Sequence, residues 1–204
     1  MHIAKSYISP SAQMLLSTNP NAQHALQEIS DSIASMTNCI NNTFTINCSS
    51  KNCNGVVPIK EKCYICLENT YNWYREKPLK SFPSKGGPID VYKEFSSNTH
   101  PFNVGLEFET GNISSAHRSM NKLSLALQTN ELQLAAIILP VHKLSYYLTD
   151  RVSNYEELEP YFALLHDRAF IVLGFDAESY STNAPLLPKG RDGMSTRSIR
   201  KWKN

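Results

Sequence analysis

Three acidic residues of the chain, Asp90, Glu107 and Glu109, lie in two segments rich in strand-forming residues. Residues i and i+2 of a strand point to the same face, so Glu107 and Glu109 project together while Phe108 points to the opposite, apolar side. If the segment from Asp90 pairs antiparallel with them, its carboxylate joins theirs. Three close negative charges are unfavourable unless a cation or a shared proton compensates them. The spacing therefore favours a site for a hard divalent cation such as Mg²⁺, which prefers oxygen ligands.

The residues after the two glutamates indicate what such a site could do. A Glu-x-Glu pair alone is usually the solvated face of an amphipathic strand. Here it leads directly into a polar loop, residues 111–115, and then to the cationic side chains of Arg118 and Lys122. Acidic groups beside basic ones suit a polyanionic substrate, and a metal ion can assist the attack of water on a phosphodiester. The segment therefore favours hydrolysis of a nucleic acid.

A second group of polar residues could read DNA bases. Adjacent acidic and basic residues such as Asp150 and Arg151 usually form a local ion pair. The alternative is base recognition, since arginine donates two hydrogen bonds to guanine in the major groove and a carboxylate accepts one from the cytosine amino group. By the same chemistry Asn112 could address adenine, Arg118 a second guanine and Ser114 either base. On the residues alone, both interpretations stay open.

Composition and charge set wide limits. With 204 residues, 41% of them hydrophobic, the chain can bury one sizeable core, and residues 1–204 are most simply one domain. The net charge of +2 does not prove a nucleic-acid partner. The charge is uneven, however, because residues 189–204 carry six Lys or Arg against a single acid, Asp192. This basic tail is either a solvated terminus or a contact for phosphate groups.

The cysteines indicate a reduced compartment. Five cysteines, an odd number, with no signal peptide and no long apolar run, predict a soluble cytoplasmic protein without membrane association. Cys63 and Cys66 have the spacing of a zinc-binding pair, but no second pair or nearby histidine completes four ligands. We therefore expect this pair to pack on a helix face.

Hydrophobic periodicity predicts helices alternating with strands. Asn19-Pro20 is a favourable helix start, and residues 58–77 follow as a second helix that ends before Pro78. A helix over residues 114–128 is apolar on more than one side, so one of its partners could be another subunit. Residues 134–139 form a continuous apolar run that is typical of a central strand covered on both faces. Further elements are predicted at residues 43–46, 142–149, 154–166 and 170–173.

Seven strings of the sequence are similar to those of one known family. They are KNCNGVVPIKE at 51–61, NTYNWYREKPL at 69–79, KGGPIDVYKEF at 85–95, GLEFETGNISSAHRSMNKL at 105–123, YYLTDRV at 146–152, YEELEPYF at 155–162 and PKGRDGMS at 188–195. The chain thus resembles the BamHI-like type II restriction endonucleases. The resemblance runs from about Lys51 to Lys203 and is weaker before Thr43. It is close enough to imply the same recognition sequence.

This resemblance implies a fold, a substrate and partners. The fold would be α/β and restriction-endonuclease-like, with a central mixed β-sheet flanked by helices on both sides. A homodimer would bind palindromic double-stranded DNA, each subunit reading one half-site. The site would be GGATCC, cut after the first G to leave four-base 5′ overhangs. A companion DNA methyltransferase would be present in the same bacterial host.

The resemblance also implies catalytic roles for individual residues. Asp90 and Glu107 would hold Mg²⁺, and the Phe108 carbonyl with Glu76, from the helix over residues 58–77, would complete two ion sites. Glu109 would act as general base or would position the attacking water. Contact with the DNA backbone or minor groove is implied for Lys60, Gly190, Asp192, Gly193 and Met194. Base reading is implied for Asn112, Ser114, Arg118, Asp150 and Arg151.

Two other functions remain possible on the same sequence. One is a catalytically silent, sequence-specific DNA-binding protein on the same fold, in which Asp90, Glu107 and Glu109 should have been dispensable, yet all three are present. The other is an acidic metal-binding or interaction module unrelated to DNA. It would leave the basic tail and the arginines at 118 and 151 unexplained.

Overall fold

The structure is a computed structural model that describes residues 1–38, 43–81, 87–96, 101–149 and 151–189. Within these ranges the strands are β1 His2–Ile8, β2 Thr45–Asn47, β3 Tyr74–Lys77, β4 Ile89–Phe95, β5 Phe102–Phe108, β6 Leu134–Pro140, β7 Phe170–Asp176 and β8 Ser179–Ser181. The helices are α1 Pro10–Thr18, α2 Pro20–Ala34, α3 Val57–Tyr71, α4 Ile113–Gln128, α5 His142–Ser145 and α6 Tyr155–Leu158, followed by a 3₁₀-helix, Glu159–Leu165. None of the helices in the described ranges has both the length and the apolar character needed to cross a membrane.

Among the described strands, six form one mixed sheet in the order β1-β7-β6-β5-β4-β3. The central strands β5, β6 and β7 run parallel to one another, and the pairs at both edges are antiparallel. Strands β2 and β8 form a separate parallel pair. Helices pack on both faces of the large sheet, which confirms the predicted α/β architecture with a central mixed sheet.

Strand β6 shows how the sheet is covered on both faces. Every residue of Leu134–Pro140 is buried, as its continuous apolar sequence predicts. Successive side chains of a strand point to opposite faces. Ala136 and Ile138 accordingly pack in a cluster with α2 and α3, whereas Ile137 packs in a second cluster with α4 and α6. The two helical layers therefore share the sheet as their common support.

Helix α2 begins where the sequence predicts. The Asn19 side chain accepts hydrogen bonds from the backbone N–H groups of Asn21 at 2.9 Å and Ala22 at 3.4 Å. Pro20 occupies the first helical position, where a missing N–H costs nothing. These contacts satisfy backbone donors that have no partner inside the helix.

The helix predicted over residues 58–77 ends early, and this changes the position of Glu76. Helix α3 stops at Tyr71 because Asn72 takes a left-handed conformation with φ of 57°. The N–H groups of Asn72 and of the next residue donate to carbonyls of the last helical turn at 3.2 and 3.0 Å, which satisfies acceptors at the helix end. Residues Tyr74–Lys77 then form β3. The prediction that Glu76 lies on this helix is therefore wrong.

Two other predicted helices are shorter than expected. The helix predicted over residues 142–149 is a single turn, His142–Ser145. The helix predicted over residues 154–166 divides into α6 and the 3₁₀-helix. Pro160 lies at this division, and it has no backbone N–H with which to continue an α-helical hydrogen-bond ladder.

The packing of β6 can be tested through the stability of the protein. Ile138 is completely buried, whereas Met14 on α1 is 71% exposed. We expect Ile138→Ala to lower the free energy of unfolding by about 2–5 kcal/mol, because it removes buried methyl groups and leaves a cavity. Met14→Ala should change it by no more than about 0.5 kcal/mol. Urea denaturation at one protein concentration measures both, and equal losses would contradict this account of the core.

Candidate active site

The three acidic residues lie in one cleft, where β4 begins and β5 ends. The cleft has a volume of about 430 Å³, and its lining includes Asp90, Glu107 and Glu109 as well as residues of α4. Strands β4 and β5 are antiparallel neighbours, with Val91 opposite Leu106. This pairing brings the Asp90 side chain to the two glutamates, as expected from the strand pattern.

Asp90 is held mainly from helix α3. Its Oδ2 atom accepts hydrogen bonds from the Tyr64 hydroxyl at 2.6 Å, the Phe108 backbone N–H at 3.1 Å and the Lys60 ammonium at 3.2 Å. Burial raises the pKa of Tyr64 well above its usual value, and the Asp90 charge adds to this effect. Tyr64 therefore remains a protonated donor, and the position of Asp90 is fixed by both α3 and β5.

Glu107 is buried between β5 and α4, with a relative exposure of 4%. Its Oε1 atom lies 2.5 Å from the Lys122 ammonium, and its Oε2 atom lies 3.3 Å from the Ser119 hydroxyl. The pKa of Glu107 is raised to about 7, first because burial penalises the charged form and second because Asp90 is also negative. Lys122 acts in the opposite direction but does not cancel these effects.

Glu109 lies just beyond β5 and is held by three donors. Its Oε1 atom accepts hydrogen bonds from the Gly111 backbone N–H at 2.6 Å and the Ser115 hydroxyl at 3.0 Å. Its Oε2 atom accepts one from the Ser119 hydroxyl at 3.0 Å. The side chain is 8% exposed, so it has little freedom to leave this arrangement.

Gly111 is required by the close approach of the chain to Glu109. A Cβ atom on Gly111 would lie 2.2 Å from the Ser115 hydroxyl oxygen and 2.8 Å from Glu109 Oε1. Both distances are shorter than van der Waals contact. Any other residue at this position would therefore push Ser115 away from the Glu109 carboxylate.

The chemistry of this cleft fits a hard divalent cation. Among the described residues, no group of three or more His, Cys, Asp or Glu side chains is arranged as a metal-ion site. Lys60 and Lys122 instead form ion pairs with Asp90 and Glu107. Burial and the negative charge of Asp90 still raise the pKa of Glu107 despite Lys122, so the cleft disfavours a bare carboxylate at this position. Clustered carboxylate oxygens are the donor set that Mg²⁺ prefers.

Three of the predicted base-reading residues lie at the start of α4. Asn112 is the N-cap of this helix, and its side-chain oxygen accepts the Ser115 backbone N–H at 3.0 Å. This leaves its amide nitrogen as the group that can donate to a base. Ser114 and Arg118 follow on the helix with exposed side chains, and Arg118 also lines the acidic cleft.

The second predicted base-reading segment reaches the same place through one backbone contact. Arg151 is exposed and has a φ of 64°. Two residues later, the Ser153 backbone N–H donates to the Gly111 carbonyl at 2.7 Å. Asp150 lies outside the described residues, as do the predicted minor-groove residues Gly190, Asp192, Gly193 and Met194.

Glu76 lies near the cleft but does not line it. On β3 it falls between the pairs Arg75–Val91 and Lys77–Ile89, which places it level with Asp90 on the neighbouring strand. Its side chain is exposed and its φ is 57°. Besides Glu76 and Arg151, the described non-glycine residues with positive φ are all asparagines, which tolerate this conformation. Strained backbone thus coincides with two predicted site residues.

Comparison with known proteins identifies the family. The family model for restriction endonuclease BamHI matches residues 1–194. The type II restriction enzyme BamHI of Bacillus amyloliquefaciens is 59% identical over 208 residues, which cover 100% of this chain and 98% of that relative. The chain belongs to the BamHI family of restriction endonucleases. It is accordingly a type II restriction enzyme, a hydrolase that cleaves DNA.

Two further proteins are similar to this BamHI-family chain, one in sequence and one in fold. The type II restriction enzyme OkrAI of Oceanobacter kriegii is 36% identical over 185 residues, which cover 87% of this chain and 92% of that relative. The crystal structure of restriction endonuclease BglII complexed with a DNA 16-mer superposes with a TM-score of 0.62. The superposition covers 85% of this chain and 79% of the BglII chain, and the two sequences are 15% identical. This likeness confirms the restriction-endonuclease fold.

Sequence reasoning missed the polar side chains that hold the acidic residues. Tyr64 on α3 was not singled out, and its hydroxyl is the closest partner of Asp90. Ser115 and Ser119 on α4 also contact the two glutamates, alongside Lys122, which the sequence had already indicated as a basic partner. Their spacing of four and three residues places them on one helix face. That spacing was a readable signal once Glu107 and Glu109 were candidates.

The raised pKa of Glu107 predicts pH-dependent stability in metal-free buffer. The folded enzyme keeps this proton up to about pH 7, whereas the unfolded chain loses it near 4.5. The corresponding stability is fully present below the unfolded pKa and is lost as the pH rises through the folded pKa. Relative to Glu107→Gln, the wild type should therefore become less stable from about pH 5 to 7. Urea denaturation in EDTA measures this, and a constant or rising difference would contradict it.

Proposed function

We propose that this restriction enzyme hydrolyses double-stranded DNA in a Mg²⁺-dependent reaction at the palindrome GGATCC. It cuts after the first G and leaves four-base 5′ overhangs with 5′-phosphate ends. The single observation that carries the chemistry is the cleft that collects Asp90, Glu107 and Glu109 beside two lysines. The recognition sequence rests on the family resemblance of the strings that contain the base-reading residues.

Asp90 and Glu107 are the proposed ligands of the first Mg²⁺. Both line the cleft, and clustered carboxylate oxygens are the ligands that Mg²⁺ prefers. The Phe108 carbonyl and Glu76 are proposed to complete two ion sites, with Glu76 supported by its position level with Asp90 and by its unusual backbone. When bound, Mg²⁺ supplies Lewis acidity and stabilises the negative charge that develops on the phosphate.

Glu109 is proposed to accept a proton from the attacking water or to position that water. Three hydrogen bonds fix its carboxylate, so it presents one orientation to the cleft. A fixed orientation of a general base or a water-binding group lowers the entropic cost of reaching the transition state. Lys60, whose side chain is 29% exposed at the cleft, is proposed to contact a DNA phosphate.

Specificity is assigned to two segments that approach Gly111. Arg118 and Arg151 are proposed to donate to guanines, with Asn112 addressing adenine through its amide. Ser114 and Asp150 are the remaining proposed base contacts. The support is that α4 begins directly after Glu109 and that the Arg151 segment is tied to Gly111 through Ser153. Gly190, Asp192, Gly193 and Met194 are proposed to enter the minor groove.

The enzyme is proposed to act as a homodimer, because a two-fold dimer matches a palindrome. The supporting surface lies beside α4. Tyr161 and Leu164 of the 3₁₀-helix are 43% and 70% exposed, and the Tyr161 ring lies 4.4 Å from the ring of His117 on α4. Large apolar side chains exposed next to each other are typical of an interface.

We place the enzyme in the bacterial cytoplasm, as one domain that works beside a companion DNA methyltransferase. Supporting this, the cysteines at 48, 53, 63 and 66 are free within the described part of the chain, as expected in a reducing compartment. The methyltransferase follows from the activity itself. An enzyme that cuts a palindrome in foreign DNA requires protection of the same palindrome in the host.

Removing the Glu107 carboxylate separates cutting from binding. Glu107→Ala should abolish cleavage and keep DNA binding, because it removes a proposed metal ligand and leaves the base-reading residues in place. Plasmid digestion with and without Mg²⁺, followed by sequencing of the fragment ends, measures cleavage and the cut position. A gel-shift assay measures binding. If the wild type gives no discrete fragments, the proposed recognition site is wrong. If Glu107→Ala cuts normally, the metal assignment is wrong.

Removing the Arg151 guanidinium tests base reading. Arg151→Ala should lose about 1–3 kcal/mol of discrimination between GGATCC and duplexes with one G·C pair changed. Equilibrium binding to the matched and changed duplexes measures this difference. The control is Lys5→Ala. Lys5 lies on β1, the edge strand at the other end of the sheet from β3 and β4, so this variant should discriminate like the wild type. Unchanged discrimination by Arg151→Ala would remove this residue from the recognition surface.

A further inference from the structure

The donors to Glu109 come from one short stretch of chain. Gly111, Ser115 and Ser119 donate to its carboxylate at 2.6, 3.0 and 3.0 Å. Gly111 is the turn before α4, and the two serines lie in its first two turns. The orientation of the Glu109 side chain therefore follows the position of the α4 N-terminus.

Ser119 also connects the two glutamates to each other. Its side chain is 4% exposed, and its hydroxyl oxygen lies 3.0 Å from Glu109 Oε2 and 3.3 Å from Glu107 Oε2. Three residues further along the same helix face, the Lys122 ammonium pairs with Glu107 and donates to the Pro88 carbonyl at 2.6 Å. One face of α4 thus contacts both glutamates and the chain just before Asp90.

The same helix carries the proposed base-reading residues on its neighbouring face. Asn112 caps the helix, and Arg118 immediately precedes Ser119 in the sequence. Ser115 joins the two functions directly, because its backbone N–H donates to the Asn112 side chain and its hydroxyl donates to Glu109. The Arg151 segment reaches this turn through the Ser153 N–H and the Gly111 carbonyl.

We propose that Ser115 and Ser119 are positioning residues that make the geometry of Glu109 and Glu107 depend on correct base reading by α4. This inference rests on the proposed function. A matched site lets Asn112 and Arg118 draw α4 into the major groove, and the serine hydroxyls carry that position to the carboxylates. A mismatched site leaves α4 displaced, and the carboxylates are displaced with it. Discrimination is then expressed in the cleavage step as well as in binding.

The effect expected from such a connection is large. Partners that orient a metal-binding or catalytic carboxylate typically change activity by about 10- to 100-fold when removed. A misplacement of catalytic groups by about 1 Å costs on the order of 100-fold in rate. Within the described part of the chain, the Ser119 hydroxyl contacts the two glutamates, and the Ser115 hydroxyl contacts Glu109 and the Asn112 carbonyl.

The test compares Ser119→Ala and Ser115→Ala with the matched control Ser124→Ala. Ser124 also lies on α4, but it does not line the cleft. Single-turnover cleavage in Mg²⁺ is measured on the matched duplex and on a duplex with one base pair changed, and equilibrium binding is measured with Ca²⁺ in place of Mg²⁺. For Ser119→Ala we expect the matched-site rate to fall about 10- to 100-fold with nearly unchanged binding. The cleavage rate on the mismatched duplex should fall by a clearly smaller factor. The ratio of the matched-site rate to the mismatched-site rate should therefore decrease.

Each other outcome has a defined meaning. Equal losses on both duplexes would overturn the coupling, because the serines would then orient the carboxylates regardless of the bases read. Unchanged rates in both serine variants would overturn the positioning role. Thermal melting of each variant identifies a folding defect, and Ser115→Ala, at a partly exposed position, provides a second reading if Ser119→Ala is unstable. A wild-type enzyme that fails to cut either duplex would refute the proposed function instead.

Discussion

The balance of charge in one cleft is the constraint on which the rest of the site depends. Asp90 and Glu107 approach each other where β4 begins and β5 ends, and each forms an ion pair with a lysine from a different helix. Lys60 comes from α3 on one face of the sheet and Lys122 from α4 on the other. Helices on opposite faces of the sheet both reach the end of the sheet where β4 begins and β5 ends. The site is assembled at that end.

Holding this charge has a structural cost. A buried carboxylate beside another negative group is less stable ionised than it would be in water, and the raised pKa of Glu107 expresses that cost. The surrounding structure offsets it with the Tyr64 hydroxyl, the serines of α4 and the two lysines. These partners order the two glutamates, while the pKa of Glu107 stays raised. Such a site lowers the stability of the folded protein in exchange for activity, a trade-off that is common in enzymes.

The sequence predicted the parts of this site that follow from local periodicity. The two-residue spacing of Glu107 and Glu109 placed them on one face, and the apolar run before Pro140 predicted the central strand. Glu76 was misplaced because the end of α3 depends on Asn72 adopting a left-handed conformation, which competes with the helical tendency of the following residues. The spacing of the two serines shows that they share one helix face, but which groups they contact also depends on the distance between α4 and β5. That distance is a property of the packed sheet and helices, not of either segment alone.

The left-handed backbone at Glu76 and Arg151 has a consequence for protein engineering. Glycine adopts this conformation without steric penalty, so replacing either residue with glycine relieves strain in the folded chain. A laboratory evolution experiment that rewards heat resistance alone would therefore accumulate glycine at these two positions. The resulting enzyme would be more heat-resistant but would lack the carboxylate proposed for the metal site and the guanidinium proposed for base reading. Thermostable libraries of this enzyme should keep both codons fixed.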